Sequence, residues 1–532
     1  MTPTSGHLTR RRLLGYGGAG TAAVLLGTGA VTATNTYAMP AADGDLFTLG
    51  VASGDPSYDG FVLWTRLARV PFAADGMAGM PDQPVRVRYE VSADERFRRI
   101  VRTDSVLAMP ELGHSVHPEV TGLDADRPYW YRFRVGRDIS PVGRTKTAPD
   151  LRADNAELRF AFASCQAWQD GLFTAYDHLA EEDLDLVVHL GDYIYEYGLK
   201  TNKRGVRLPA QFDGETFDLA RYRLQYALYK SEEPLKKAHA AFPWIHTIDD
   251  HEVENNWAGD ISQVDSEPDQ DPAVFRLRRA AAFQAMYENL PLRRAQMPSG
   301  PDVRLHRRLP YGTLADFTML DTRQYRSDQP CGDGDHDVCQ QRYDPDLTML
   351  GGQQKQWLLD GFSSSPATWQ VLGNQAPIAQ TDWDPSPEVT HIWTDPWDGY
   401  VAERNEVLAA AKERSVDNLV VITGDRHTNY AMDLKTDYDD PASPVVGTEF
   451  VGTSISSGGN GADMTPEGEK FLAANEHMKF YNIQRGYSRV TVTRDEWRND
   501  FRVVPYVLEP CAPVSTRASY VVQNGKPGAE LG

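Results

Sequence analysis

Four stretches of this chain run apolar and then end in side chains of the kinds that bind metals: FAFASC at 160–165, DLVVHLGDYIYE at 185–196, WIHTIDDHEVENN at 244–256 and NLVVITGDRHTN at 418–429. A continuous apolar run suits a strand buried on both faces, the condition of a parallel sheet covered by helices. In such sheets the strand ends carry the function. Thiolate, carboxylate, phenolate and imidazole at four strand ends together predict one metal centre on an α/β fold.

The rest of the chain is organised around this pattern. Residues 43–148 read as a small β domain. VRVRYEVS at 86–93 and YWYRFRVG at 129–136 alternate apolar and polar residues, as half-buried strands do, and FVLWTRLA at 61–68 is a third strand candidate. Short Pro/Gly turns between them suggest an immunoglobulin- or fibronectin-like sandwich. From 149 to 532 apolar runs alternate with longer polar or helical stretches, with helices expected at 171–182, 216–230, 274–291 and 402–415. The segment from Tyr487 predicts a hairpin.

Charge and cysteine content narrow the function. A net charge of -21 over 532 residues argues against a nucleic-acid-binding surface. It leaves an anionic substrate open, because bound cations invert the local potential. Residues 1–42 read as an export signal: Thr9-Arg10-Arg11-Arg12-Leu13-Leu14 precedes a mild apolar stretch from Gly15 to Ala33. The adjacent arginines resemble a twin-arginine signal, with cleavage expected between Ala38 and Ala42. The stretch is too weakly apolar for a transmembrane anchor. Export permits disulfides, and Cys331 and Cys339 in CGDGDHDVC are a candidate loop pair. A calcium-type acidic loop is the other reading of that segment. Cys165 is a candidate ligand, unless it pairs with Cys511.

Each motif has its own chemistry. In GDYIYE, Asp192 has two oxygens with which to bridge two metals, and Tyr195 supplies a phenolate suited to Fe³⁺; an N-capping aspartate with a core tyrosine is the structural alternative. In DDHEVENN, Asp250 offers a carboxylate to a divalent ion. His251 is a candidate proton donor to a leaving group, and Glu252 is a candidate to orient that imidazole. Asn255 and Asn256 add neutral oxygens that suit calcium. In GDRH, an extended backbone would place Asp425 and His427 on one side and Arg426 on the other. No convincing Gly-x-Ser-x-Gly elbow supports a serine hydrolase.

The order of these elements resembles the calcineurin-like metallophosphoesterase pattern. LGVASGDPSYDGFVLWTRL at 49–67, FASCQ at 162–166, GDYIYE, DDHEVENN, LDTRQYR at 320–326 and GDRH together resemble the PhoD-like alkaline phosphatase and phosphodiesterase family over nearly the whole chain after the leader. The resemblance implies a metallophosphoesterase four-layer β-sandwich flanked by helices, behind a small N-terminal all-β domain. It implies a secreted enzyme that hydrolyses phosphate monoesters and diesters with metal-activated hydroxide or oxide. Cys165, Asp192, Tyr195 and His427 would hold Fe³⁺. Asp192, Asp425 and a residue among Asp250, Asn255 and Asn256 would hold one or two Ca²⁺, and other divalent metals are compatible. An arginine would lie near substrate, with Arg426 and Arg323 as candidates. Phospholipase D activity on phosphatidylcholine-type lipids is the alternative within the family. Teichoic acid or phospholipid as natural substrate, the twin-arginine export machinery as partner, and a monomeric state complete these expectations.

Overall fold

The computed structural model describes residues 45–263, 268–386, 389–440 and 442–532; the expected leader at 1–42 lies outside the described residues. Two large sheets dominate. In the first, Glu157–Ala163, Leu186–His189 and Pro243–His246 lie side by side and parallel. Arg485–Thr493 pairs antiparallel with Glu157–Ala163 and continues through Glu496–Val504, Ser515–Gln523 and Lys526–Leu531 to one edge. In the second sheet, Ala315–Met319, Trp369–Gly373, Leu419–Thr423 and Val445–Val451 are parallel neighbours. Antiparallel strands at Arg307–Tyr311, Asn429–Lys435 and Met478–Asn482 complete it.

The apolar runs are continuous because both faces of these strands are buried. Phe160 and Phe162 point into a core shared with Phe317, Val371, Val420 and Ile422 of the other sheet. Ala161 and Ala163 point the other way, into a core shared with the helices Leu219–Lys230, Glu233–Ala241 and Pro272–Asn289. Val421 faces a third core with helices Gly351–Ser364, Val401–Glu413 and Pro466–Ala474. Each fully buried Phe or Leu contributes roughly 1.5–3 kcal/mol, so the alternation fixes the register against any one-residue slip. Asp218, Asp271 and Thr465 cap three of the helices through side-chain oxygens.

The N-terminal region differs from the expected sandwich. Val51–Ser57 and Gly60–Arg66 form a hairpin that joins the first large sheet, with Ser53 and Gly54 in parallel register with Pro243 and Trp244. Only Val85–Ser92, Ile100–Ala108, Pro128–Val135, Asp138–Ile139 and Gly143–Lys146 form a separate sheet. Its core residues Val87, Val91, Tyr131 and Phe133 pack on Val51, Phe61 and Leu63 of the hairpin. The small sheet thus uses the end of the large one as its second layer, and the described strands give a mixed α/β fold with a β-rich N-terminal region.

Four expected helices are present, although the first is shorter, Thr174–Leu179, because Gly171 is extended and a single 3-10 turn precedes it. Glu233–Ala241, Gly351–Ser364 and Pro466–Ala474 were not expected; the glycines in the second and the short span of the others obscure their period. Cys331 and Cys339 form a disulfide, whereas Cys165 is buried and unbridged and Cys511 is exposed, so no Cys165–Cys511 bridge exists. Among the described residues no helix is long and apolar enough to cross a membrane.

Candidate metal centre

The candidate ligands lie in the segments that follow four strands, where the chain turns sharply. Cys165, Asp192, Asn256, Asp425 and His427 all have positive φ, between 53° and 62°. Such conformations cost a non-glycine residue about 1–3 kcal/mol each and persist only where the surroundings impose them. Gly191, at φ 113°, allows Asp192 to approach its neighbour: a Cβ there would lie 2.5 Å from the backbone N and Cβ of Asp249.

The turns bring ligands to two adjoining clusters that share Asp192. Cys165, Asp192 and His427 offer donor atoms within 4.8 Å of one another, and so do Asp192, Asp250 and His251. The Tyr195 hydroxyl ties the first cluster together, 3.0 Å from Asp192 Oδ2 and 3.0 Å from His427 Nε2, while accepting from Ser457 Oγ at 2.8 Å. Asp425 contributes to the same field. Asn256 donates its backbone N–H to Asp250 Oδ2 at 2.8 Å and its amide to Asp333 Oδ2 at 2.5 Å. Asn255 instead turns its amide oxygen to the Tyr197 hydroxyl.

Electrostatics show what this pocket lacks. Burial, together with Asp250, pushes the Asp192 carboxyl well up; burial and Asp192 do the same to the Cys165 thiol and the Tyr195 phenol. Burial, with Asp395 and Asp250 nearby, raises the Asp425 carboxyl to about 6 against the pull of Arg426. Asp250, by contrast, is held low: burial opposes ionisation, but His251, Arg323 and the Asn256 N–H overcome it. Asp192 Oδ1, Asp250 Oδ1 and Asp249 Oδ2 are buried with no hydrogen-bond partner. Buried anionic groups need a partner charge, and a cation bound among these oxygens, the thiol and the imidazole meets that need. The donor set therefore fits a metal centre.

Other expected roles are redistributed. His251 is oriented by Glu196 rather than Glu252: its Nδ1 lies 2.8 Å from Glu196 Oε2, and its ring lies 4.0 Å from that of Tyr195. Glu252 instead accepts the backbone N–H groups of Asp192, Tyr193 and Asp249, pinning two ligand loops together. Arg323 is wholly buried and bound to Asp249 and Asp395, so it braces the ligand loop and has no free donor face for substrate. Arg426 is set differently. Its guanidinium lies 4.5 Å from the Trp393 ring centroid and 5.4 Å from that of Trp383, and its Nε and Nη1 have no partner. The GDRH segment is a left-handed turn rather than the extended run expected from its alternation.

Glu196, Ser457 and Asp333 were missed as supporting residues. Glu196 stood within GDYIYE and was legible as a carboxylate beside the ligands. Ser457 arrives from a loop with no ligand signal of its own, whereas Asp333 lies in the CGDGDHDVC segment, read above as a disulfide loop or a calcium-type acidic loop.

Comparison with known proteins identifies the family. A family model described as PhoD-like phosphatase matches residues 160–501, and one described as the PhoD-like phosphatase N-terminal domain matches 32–149. Alkaline phosphatase D of Bacillus subtilis (strain 168) is 48% identical over 485 residues, covering 91% of this chain and 82% of that protein. A solved structure titled "Structure of PhoD" superposes with a TM-score of 0.87 at 47% identity, covering 92% of each chain. The chain belongs to the PhoD-like phosphatase family.

Proposed function

We propose that the phosphate-ester hydrolysis to which family membership assigns this chain takes place at the paired clusters around Asp192. The observation that carries the reading is that Asp192 is shared by two donor clusters, one with Cys165 and His427, bridged by the Tyr195 hydroxyl, and one with Asp250 and His251. Cys165, Tyr195 and His427 would hold Fe³⁺, and Asp192 would face both ions. Asp250, Asp425 and the amide oxygen of Asn256 would hold one or two Ca²⁺. Asn256 is favoured over Asn255, whose oxygen is engaged by Tyr197. Bound metals supply Lewis-acid charge and an acidified water.

The protein's own groups supply the rest. Arg426, pinned by two tryptophans, offers Nε and Nη1 to phosphoryl oxygens, where charge develops in the transition state. His251, oriented by Glu196, donates a proton to the departing alcohol oxygen. Glu252 and Arg323 hold the ligand loops in register. In the same reading residues 1–42 are a twin-arginine leader, 43–148 a β-rich N-terminal domain and 149–532 the catalytic domain. The two sheets and their helix covers are read as the four-layer sandwich, and the place of action as extracellular. Phospholipase D activity gains no observation of its own. Trp383 packs on Phe471, and both Trp383 and Trp393 face Arg426, so their place in the fold is accounted for without a lipid.

Elemental analysis of protein purified without added metal tests the centre, with the visible spectrum of the same sample. Iron with a charge-transfer band supports the assignment; fully active protein without iron or that band sinks it. Parallel assays on an aryl monoester, a diester and a choline phospholipid test the reaction, and exclusive turnover of the phospholipid would overturn the phosphatase reading.

A further inference from the structure

Away from the carboxylates, the chain forms a second concave feature with the opposite chemistry. A cavity of about 260 Å³ is lined by Gln296, Arg304, His306, Arg307, Arg308 and Trp357. On a chain of net charge -21 this is a local reversal of sign. Nε of Arg308 and Nδ1 of His306 are buried with no partner. Arg304 is exposed and makes no hydrogen bond or ion pair among the described residues. A buried donor left unpaired costs about 1–3 kcal/mol, so the lining calls for an acceptor.

The donors are held in place without being neutralised. The Arg308 guanidinium lies 4.1 Å from the Trp357 ring centroid and donates Nη2 to the Trp357 carbonyl. The His306 ring lies 5.1 Å from the same indole. Arg307 is already paired with Asp55 and serves as wall. The nearest carboxylates are Asp316 and Asp360 beside Arg308, and Asp321 near His306. Asp360 is engaged by Gln356 and Asp321 by the backbone N–H groups of Arg323 and Gln324, while Asp316 accepts from Ser365 through Oδ2 and keeps a second buried oxygen without a partner. Gln296 Oε1 is the one buried acceptor of the lining without a partner. Several donors, one acceptor and an indole wall match a tetrahedral oxyanion that carries a hydroxyl or an ester carbon.

We propose that this cavity is a second, metal-free binding site for a phosphate-class oxyanion. It lies close to the ligand loops. Arg307 donates Nη2 to the His246 carbonyl at 3.0 Å, and His246 precedes Asp250 by four residues. That length of chain spans at most about 14 Å. The anion is either free phosphate or a second phosphate of a substrate held at the Asp192 clusters. The second source rests on the catalytic reading; the binding itself does not.

Calorimetric titration of the full-length, metal-loaded enzyme with inorganic phosphate tests the site, against Arg304→Glu and His306→Phe. Arg304 is exposed and His306→Phe keeps a ring on Trp357, so both variants should retain wild-type melting temperature and turnover of a small aryl monoester within about twofold. The wild type should show two classes of site. One class should weaken at least roughly tenfold in Arg304→Glu and several-fold in His306→Phe, as loss of charge-assisted and neutral donors implies. Absence of any class of site that weakens in the two variants overturns the proposal. Steady-state kinetics separate the sources. A KM about tenfold higher for a doubly phosphorylated diester, at unchanged kcat, assigns the site to the substrate's second phosphate. Unchanged KM with weaker inhibition by phosphate assigns it to the free anion. Failure of the wild type to hydrolyse any phosphate ester would sink the catalytic reading and leave the titration intact.

Discussion

Gly191→Ala should be among the most damaging small substitutions in the chain, and Gly205→Ala measures why. Both glycines have positive φ, 113° and 65°, but nothing lies within 4 Å of a Cβ built at Gly205. At Gly191 the added methyl would meet Asp249 backbone N and Cβ at 2.5 Å and the Ile248 carbonyl carbon at 2.9 Å. The left-handed backbone costs each alanine about 1–2 kcal/mol. Overpacking against backbone adds about 1–3 kcal/mol at Gly191 alone. Expected losses are therefore about 1–2 kcal/mol for Gly205→Ala and about 2–5 kcal/mol for Gly191→Ala. Relieving the clash to an ordinary contact separates the Asp192 and Asp249 loops by roughly 1 Å, a misplacement that can cost about a hundredfold in rate. Urea midpoints and slopes followed by tryptophan fluorescence give the stabilities; metal content and kcat come from the same preparations. Losses within about 0.5 kcal/mol of each other, or wild-type kcat in Gly191→Ala, would refute the close-approach argument.

Three further outcomes are expected. Cys165→Ala should lower iron retention and abolish any thiolate band while leaving the fold intact, because the residue is unbridged; unchanged metal content by elemental analysis would make the thiol a packing group only. His251→Ala should lower kcat by about 10²–10⁴ on an alkyl ester and far less on a nitrophenyl ester, whose leaving group needs no proton; equal losses on both would contradict the proton-donor role. Glu449 has its carboxyl pushed up from 4.5 to about 7 by burial, against hydrogen bonds from Thr423, Ala379 and Ile378. The folded state thus holds its proton more tightly than the unfolded one. That contribution to stability is complete below pH 4.5 and is lost as pH rises to about 7. Urea midpoints from pH 4 to pH 8 should shift in favour of Glu449→Gln across that window, and a constant difference would count against it.

The parallel core was legible because burial on both faces writes itself as uninterrupted apolar sequence: Phe160 to Ala163 and Leu419 to Ile422 needed no partner to be read. The ligand types were legible for a related reason, since a polar residue directly after such a run has few structural duties. Partnership was less so. Glu252 and Glu196 are both acids near His251 in sequence motifs, and only three-dimensional direction decides that Glu252 pins backbone N–H groups while Glu196 holds the imidazole. Arg323 and Arg426 both follow strands, yet one is enclosed by carboxylates and the other by indoles. The N-terminal hairpin misled because an apolar run such as that at 61–68 marks a strand without saying which sheet it enters, and Ser53 finds Pro243 from far along the chain.

The strand that delivers Cys165 has its two neighbours at very different distances in sequence. Leu186–His189 follows it closely, but the other side is closed by Arg485–Thr493, with Glu157 opposite Thr493. A chain emerging from the ribosome therefore cannot complete the sheet under Cys165 until residue 493 has been made, more than 300 residues later. Pairings between such distant segments form slowly and leave strand edges open meanwhile. Removal of residues 485–532 should accordingly cost more than a surface extension: it would leave Glu157–Ala163 with an unpaired edge open to aggregation.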